Sequence, residues 1–335
     1  MEITSLALAS LEKVGRAANA AASSYEFDKF NAKLAESTKV NYCKALDMFR
    51  DLIEELAHVV IMGDLMYEAE AWRGVTYGLV LAFQKSLVDK GYSAASVNVR
   101  VAGVKTYARV AHQAGIIPSE EYYKIRLLDG VTAKRDKQGK VSRSKFKGAR
   151  KNEPIFLTEG QMEVLKSHPD TPVGRRDAVL MCIFLDHGLR LSEALGLQVE
   201  NVDLAKGVFT FYRQKVKLTQ THRMTKDTLR AMAAYLKHDR KVASGPLFVS
   251  SRQGRLTKYF LTRSCTFALV RQFGRDIGID NLSPHDLRHS WTRRAVDHGT
   301  PLEALKDGGG WSSLDMPGMY IGHSKIANEH VNLGL

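Results

Sequence analysis

Between Lys134 and Lys151 the chain carries nine Lys and Arg against Asp136 alone, which places +8 of the total formal charge of +13 in one short stretch. The stretch includes Gly139, Gly148, Ser142 and Ser144, shows no apolar periodicity and runs into Pro154. Such a segment cannot bury a face, so it cannot run through the middle of a hydrophobic core. It divides the 335 residues into two stretches of ordinary domain length joined by a basic linker. A dense basic block of this kind serves either as a solvated hinge or as a strap across phosphates, and the second reading is preferred.

The charge surplus favours a polyanionic partner, nucleic acid or an anionic membrane surface. The longest apolar run, Ala178 to Leu185, falls well short of the ~18 residues of a membrane span. The start of the chain places Glu2 and Glu12 among Ala and Ser and has no cationic start leading into an apolar stretch, so no signal peptide is expected. The expected location is cytoplasmic and nucleoid-associated, with no membrane partner. Cys43, Cys182 and Cys265 are too few and too widely spaced for a disulfide framework or a cysteine-based zinc site. No HExxH, GxxxxGK[ST] or GxGxxG pattern occurs, so neither metal nor nucleotide cofactor is expected.

Ahead of the linker the apolar spacing is helical. Residues 1–24 read as an Ala-rich helical extension. Ser37 or Thr38 is placed to cap a helix with Val40, Leu46, Phe49, Ile53 and Leu56 on one stripe. A second helix is expected over Val75 to Lys90, stopped by Gly91, and a third from Ser93 or Ser96 through Val97, Val101, Val104, Tyr107 and Val110 to Gly115. Arg100, Lys105 and Arg109 lie on the polar face of the third, either solvated or as phosphate contacts.

After the linker, Thr158 with Gln161 is a capping box that opens a helix to about Ser167. Asp177 to His187 is apolar nearly all round, a buried helix. The stretch from Gly207 to Met224 reads as strand, turn, strand. Helices are expected at Lys226 to Lys237, Leu261 to Asp276, Pro284 to Asp297 and Pro301 to Asp307. The fold class is therefore mainly α (α+β): a helical N-terminal domain at 25–132, a linker at 133–154 and a mixed α/β domain with a small β-sheet at 155–323, followed by a tail at 324–335.

Two groups in the second domain carry chemistry. Arg190, in Gly188-Leu189-Arg190-Leu191-Ser192-Glu193, is a guanidinium suited to forked phosphate binding, or else one half of a helix pair with Glu193. His285 and Arg288, in Pro284-His285-Asp286-Leu287-Arg288-His289, share a helical face on which one moves a proton and the other neutralises a phosphate. Taken singly, His285 is as easily a helix-start histidine and Arg288 a surface charge. Trp311 and, nine residues on, Tyr320 read alone as core packing and an apolar anchor.

In this order, however, the residues resemble the tyrosine recombinase, or phage integrase, family. Its glycine-leucine-arginine-hydrophobic-serine-glutamate motif stands at Gly188 to Glu193, and its His-x-x-Arg, His/Trp and Tyr series at His285, Arg288, Trp311 and Tyr320. Trp311 takes the place of the commoner histidine. The resemblance implies a catalytic domain at 155–323 and a helical core-binding domain over Ser37 to Gly115. It implies Tyr320 as nucleophile, Arg190 and Arg288 on the phosphate, His285 as base, a Trp311 hydrogen bond, and a hairpin lysine as acid. Lys217 is preferred over Lys215 for that lysine, although the strand-end proline of the family is here Thr225. Glu193 is expected to orient Arg190, with His289 supporting. DNA contacts are expected from Lys134, Arg135, Arg143, Lys145, Lys147, Arg150, Lys151, Arg100 and Lys105.

The implied activity is site-specific recombination of double-stranded DNA at a core site, through a 3′-phosphotyrosine link and within a homo-tetramer. An accessory directionality factor is among the partners the resemblance admits. The tail, with Ile326, Val331 and Leu333, is expected to dock on a neighbouring protomer, and the 24 residues before Tyr25 are too few for an arm-binding domain. Competing readings are a type IB topoisomerase or telomere resolvase with the same chemistry, and a DNA-binding regulator without catalysis.

Overall fold

The computed structural model describes residues 2–58, 60, 63–132 and 154–320. The chain separates into two compact units, residues 1–152 and 153–335. The basic stretch Lys134 to Lys151 and the tail at 324–335 lie outside the described residues.

The first unit is helical: α1 (Glu2–Asn31), α2 (Glu36–Ala57), a 3-10 turn at Ala69–Trp72, α3 (Tyr77–Asp89), α4 (Ala94–Gln113) and α5 (Ser119–Leu127). α4 is its axis and packs against the other four helices. Val97, Val101, Val104, Tyr107 and Val110 are all buried, as their spacing requires. Ser93 is the cap, its hydroxyl accepting from the Ser96 N–H. Gly103 permits the close crossing of α2, since a Cβ there would stand 3.1 Å from that of Ala45.

Three expectations for this unit are corrected. α1 runs unbroken through residue 24 to Asn31, because Ser23, Phe27 and Asn31 form one buried stripe four residues apart. α2 starts at Glu36 behind Ala35, so neither Ser37 nor Thr38 caps it. Its buried set is Ala45, Leu46, Phe49, Leu52 and Ile53; Val40 lies off this stripe and Leu56 in the last turn, and both are exposed.

The second unit begins with a segment without regular secondary structure at 154–157, followed by α6 (Glu159–Lys166), α7 (Pro172–His187), α8 (Leu191–Leu195) and a 3-10 turn at Val199–Asn201. Then come β1 (Val202–Asp203), β2 (Val208–Arg213), β3 (Leu218–Arg223), α9 (Lys226–His238), β4 (Val249–Arg252), β5 (Arg255–Phe260), α10 (Arg263–Asp276), α11 (Pro284–Asp297), α12 (Leu302–Gly309) and α13 (Asp315–Gly318). The Thr158–Gln161 capping box is formed in both directions. α7 is buried from Val179 to Leu185 and packs against α6, α9 and α11.

β1, β2 and β3 form an antiparallel sheet in that order, with Phe209 opposite His222 and Arg213 opposite Leu218. A second sheet, the β4–β5 hairpin, falls where no strand is expected from the sequence. Its turn residues Gln253 and Gly254 both have positive φ, 50° and 73°. That is the conformation for which Asn-Gly or Asp-Gly is the usual signal, and glutamine conceals it.

Candidate active site

The turn after α7 starts the site. Gly188 ends the helix with φ 60°, and a Cβ there would fall 2.2 Å from the Trp291 ring, so only glycine fits. The turn presents Arg190 as the residue preceding α8. The Glu193 carboxylate returns to it, taking the Arg190 backbone N–H at 2.8 Å and one guanidinium N–H at 2.9 Å.

α11 supplies the second part. Its Ser283–Asp286 capping box fixes the first turn, and the other Asp286 oxygen takes the Ile155 N–H at 2.9 Å. Leu157 N–H donates to Ser290 Oγ at 3.0 Å, so the 154–157 segment lies along this helix. Arg288 is only 3% exposed. It donates to the carbonyls of Gly188 and, at 2.6 Å, Gly309, and its guanidinium stands 4.4 Å from the Trp311 ring.

These side chains meet at the C-terminus of α12. The last carbonyls of a helix lack intrahelical partners and carry its partial negative charge. Here Gln220 caps Asp307 O at 2.7 Å, Arg213 caps Gly308 O at 2.6 Å and Gly309 O at 3.0 Å, and Arg190 caps Gly310 O at 2.9 Å. Arg213 also donates to Glu193 at 2.9 Å, on the same carboxylate oxygen that takes the Arg190 backbone N–H, and to Gln220. Two guanidiniums therefore pair with one carboxylate while the third, Arg288, joins them at Gly309 O, leaving an excess of two positive charges among these four groups in a largely buried site.

Burial, followed by repulsion from Arg190, pulls the Arg288 pKa down to about 9, still charged at neutral pH. An arriving anion would relieve that repulsion. Burial alone would raise the Glu193 carboxyl, but the Arg190 N–H and the neighbouring guanidinium charges outweigh it and hold the group below its ordinary value.

Tyr320 is 7% exposed and its hydroxyl meets Nδ1 of His289. His285 lies edge-on against the His289 ring, with centroids 4.2 Å apart. Phe156 stands 6.4 Å from both the His289 and the Tyr320 rings. Burial, followed by the charge of His285, lowers the His289 pKa to about 4, so its ring is neutral at neutral pH. Burial raises the Tyr320 phenol while Arg288 acts to lower it.

Of the residues singled out from the sequence, Arg190, Glu193, Arg288 and Trp311 meet around the end of α12, and His285, His289 and Tyr320 form the adjoining cluster. The residue in contact with the phenol is His289, which the sequence reading gave only a supporting place. The indole N–H of Trp311 has no acceptor among the described residues, whose hydrogen bonds include that of Trp291 to Asp186 O at 3.1 Å. Lys215 and Lys217 both stand exposed on the β2–β3 turn, without a hydrogen bond or ion pair among the described residues. Arg100 and Lys105 are engaged within the first unit. Arg100 lies 4.6 Å from the Tyr92 ring and donates to Ser96 O at 3.1 Å, and Lys105 donates to Leu128 O at 2.9 Å.

Two features went unread in the sequence. One is Arg213, which the two-residue alternation of β2 places inward with Phe209 and Phe211. The other is the exposed row Arg252, Arg255, Lys258, Tyr259 and Phe260 on β4–β5, continued by Arg263 on α10. No group of three or more His, Cys, Asp or Glu side chains is placed to hold a metal ion among the described residues. No helix among them is long and apolar enough to cross a membrane.

The family model of the phage integrase family matches residues 155–326. The chain is 26% identical over 310 residues to the tyrosine recombinase XerC of Syntrophus aciditrophicus, covering 88% of this chain and 91% of that one. It is 32% identical over 177 residues to the tyrosine recombinase XerD of Neisseria meningitidis, covering 51% of this chain and 59% of that one. Among solved structures, the Tn1549 transposon integrase in complex with transposon right end DNA is similar, with TM-score 0.60, 16% identity and coverage of 90% of this chain and 95% of that one. Fold and family model together define a tyrosine recombinase. This chain belongs to the phage integrase family.

Proposed function

We propose that this recombinase cleaves and rejoins double-stranded DNA at a specific core site through Tyr320, with Arg190, Arg288 and Trp311 on the scissile phosphate. The observation that carries the reading is the phenol of Tyr320 on a neutral His289, beside a hub of three guanidiniums with an excess of two positive charges. Transfer to a phenolate oxygen adds negative charge to the non-bridging phosphate oxygens in the transition state, and a surplus of fixed positive charge stabilises it where it develops.

The Tyr320 oxygen forms the new bond to phosphorus and the bond to the 5′ oxygen breaks, leaving a 3′-phosphotyrosine. The phenol proton passes to the His289–His285 pair, and Lys217 on the β2–β3 turn protonates the departing 5′ oxygen. One phosphate ester replaces another, so rejoining by the reverse path needs no ATP.

Charge and family also point to the DNA contacts. The basic stretch that includes Lys134, Arg135, Arg143, Lys145, Lys147, Arg150 and Lys151 is read as a strap on the phosphate backbone. The β4–β5 row with Arg263 is read as a further contact, its aromatic residues interleaved with cations. Exchange of two duplexes requires four active protomers, hence a homo-tetramer on DNA, with an accessory factor setting direction. The protein acts in the cytoplasm on the nucleoid.

The test is a nicked suicide duplex from the element's own attachment region, incubated with wild type and with Tyr320→Phe in EDTA and run on a denaturing gel. A covalent adduct with wild type alone supports the reading. An adduct that persists in the variant moves the nucleophile elsewhere. Relaxation of plasmids lacking any such site would indicate a topoisomerase instead.

A further inference from the structure

Arg213 adjoins the Arg190–Glu193 pair but has no donor left over for a ligand. It is 0% exposed at the inward end of β2, and every donor atom of its guanidinium is used inside the protein. Two N–H groups hold consecutive carbonyls at the end of α12, one donor also meets Glu193, and the third meets Gln220. Gln220 in turn holds the carbonyl just before that pair, at 2.7 Å. A buried guanidinium without an exposed edge is costly, and nothing about the β2–β3 sheet alone calls for one.

What it joins is specific. Glu193 orients Arg190; Gly309 O is shared with Arg288; and Gly310, with φ 62°, leads directly into Trp311. A Cβ on Gly309 would meet the Trp311 ring at 2.0 Å and a Cβ on Gly310 would meet Arg213 Cδ at 2.5 Å, so this turn is packed between the two side chains. Lysine could supply one charge but not four hydrogen bonds in a fixed plane.

We propose that Arg213 is a positioning residue for strand cleavage: it ties the α12 C-terminus to Glu193 and thereby sets Trp311, which follows that turn directly, against Arg190 and Arg288. This rests on the recombinase reading. Its effect belongs to the chemical step and is transmitted through Trp311 rather than through DNA affinity.

The experiment uses the full chain, with a nicked duplex on which wild type forms the covalent adduct. In Arg213→Lys, adduct formation at saturating duplex should fall roughly 10- to 100-fold, the cost of displacing reacting groups by a fraction of an ångström to an ångström. The dissociation constant should stay within about twofold of wild type, and Arg213→Lys combined with Trp311→Phe should lose no more than the worse single variant, within about twofold. Wild-type cleavage by Arg213→Lys, a loss confined to affinity, or full additivity in the double variant would each overturn the proposal. If Arg213→Lys does not fold, Gln220→Met decides on the same readouts: a reduced rate at saturation with affinity retained supports it, and a wild-type rate overturns it. Absence of any adduct with wild type would instead strike at the recombinase reading itself.

Discussion

Replacing Glu193 with glutamine tests the charge arrangement of the site most directly. The carboxylate is 6% exposed and accepts from the Arg190 N–H at 2.8 Å, the Arg190 guanidinium at 2.9 Å and Arg213 at 2.9 Å. An amide of the same shape keeps one acceptor and turns the other into a donor facing a donor. Arg213, fully buried, loses its counter-charge and remains close to Arg190 and Arg288. Breaking a buried pair costs about 3–5 kcal/mol, of which a retained neutral hydrogen bond returns about 1, so the expected destabilisation is about 2–4 kcal/mol. With a urea slope of about 2 kcal/mol per molar, the midpoint should fall by about 1–2 M.

Urea unfolding of a Trp72→Phe background, in which only Trp291 and Trp311 of the second unit remain, reads this transition. The pH dependence carries a sign. Because the folded site holds Glu193 below its ordinary 4.5, its stabilisation is complete above that value and is lost as pH falls through the folded one. The gap between wild type and Glu193→Gln should therefore be full at neutral pH and close in acid. Midpoints agreeing within about 0.2 M at neutral pH, or a gap that does not narrow in acid, would refute the reasoning.

His289→Gln keeps a polar side chain but cannot take the phenol proton, and adduct formation should fall by about 10²–10⁴. In wild type, cleavage at limiting DNA should rise with pH through about 4, where His289 loses its proton, and a limb at the ordinary 6.5 that vanishes in the variant would contradict this. Gly310→Ala places a Cβ in a left-handed conformation, for about 1–2 kcal/mol, and against Arg213, for about 1–3 more; an unchanged melting temperature would count against the packing described. Neutralising Lys145, Lys147, Arg150 and Lys151 together should weaken binding to all sequences alike and reduce the salt slope by up to about 3.6, measured by titration at several salt concentrations; an unchanged slope would exclude these residues from the phosphate contacts.

Much of the architecture was legible because it is local. Ser93 and Thr158 cap helices through contacts three residues away, and the stripe of α4 follows from helical spacing alone. The Gly188 to Glu193 stretch and the order His285, Arg288, Trp311, Tyr320 were readable as a linear pattern, as was the contact between Arg190 and Glu193. The phase of α2 was harder, since which face of a long helix is covered depends on its neighbours. The β4–β5 hairpin was hidden by a glutamine in a turn that ordinarily announces itself with asparagine or aspartate.

The amino-acid order by itself determined the family, the helical character and the residue types available for phosphate chemistry. Tertiary structure alone decided which of them meet. Arg190 reaches a carbonyl 120 positions away, Arg213 one 95 away and Arg288 one 100 away, and the phenol of Tyr320 meets His289 rather than standing free. No local period encodes these meetings. The arginine contacts exist because carbonyls at the ends of α7 and α12 lack partners within their own helices, and only the packed domain can bring guanidiniums to them.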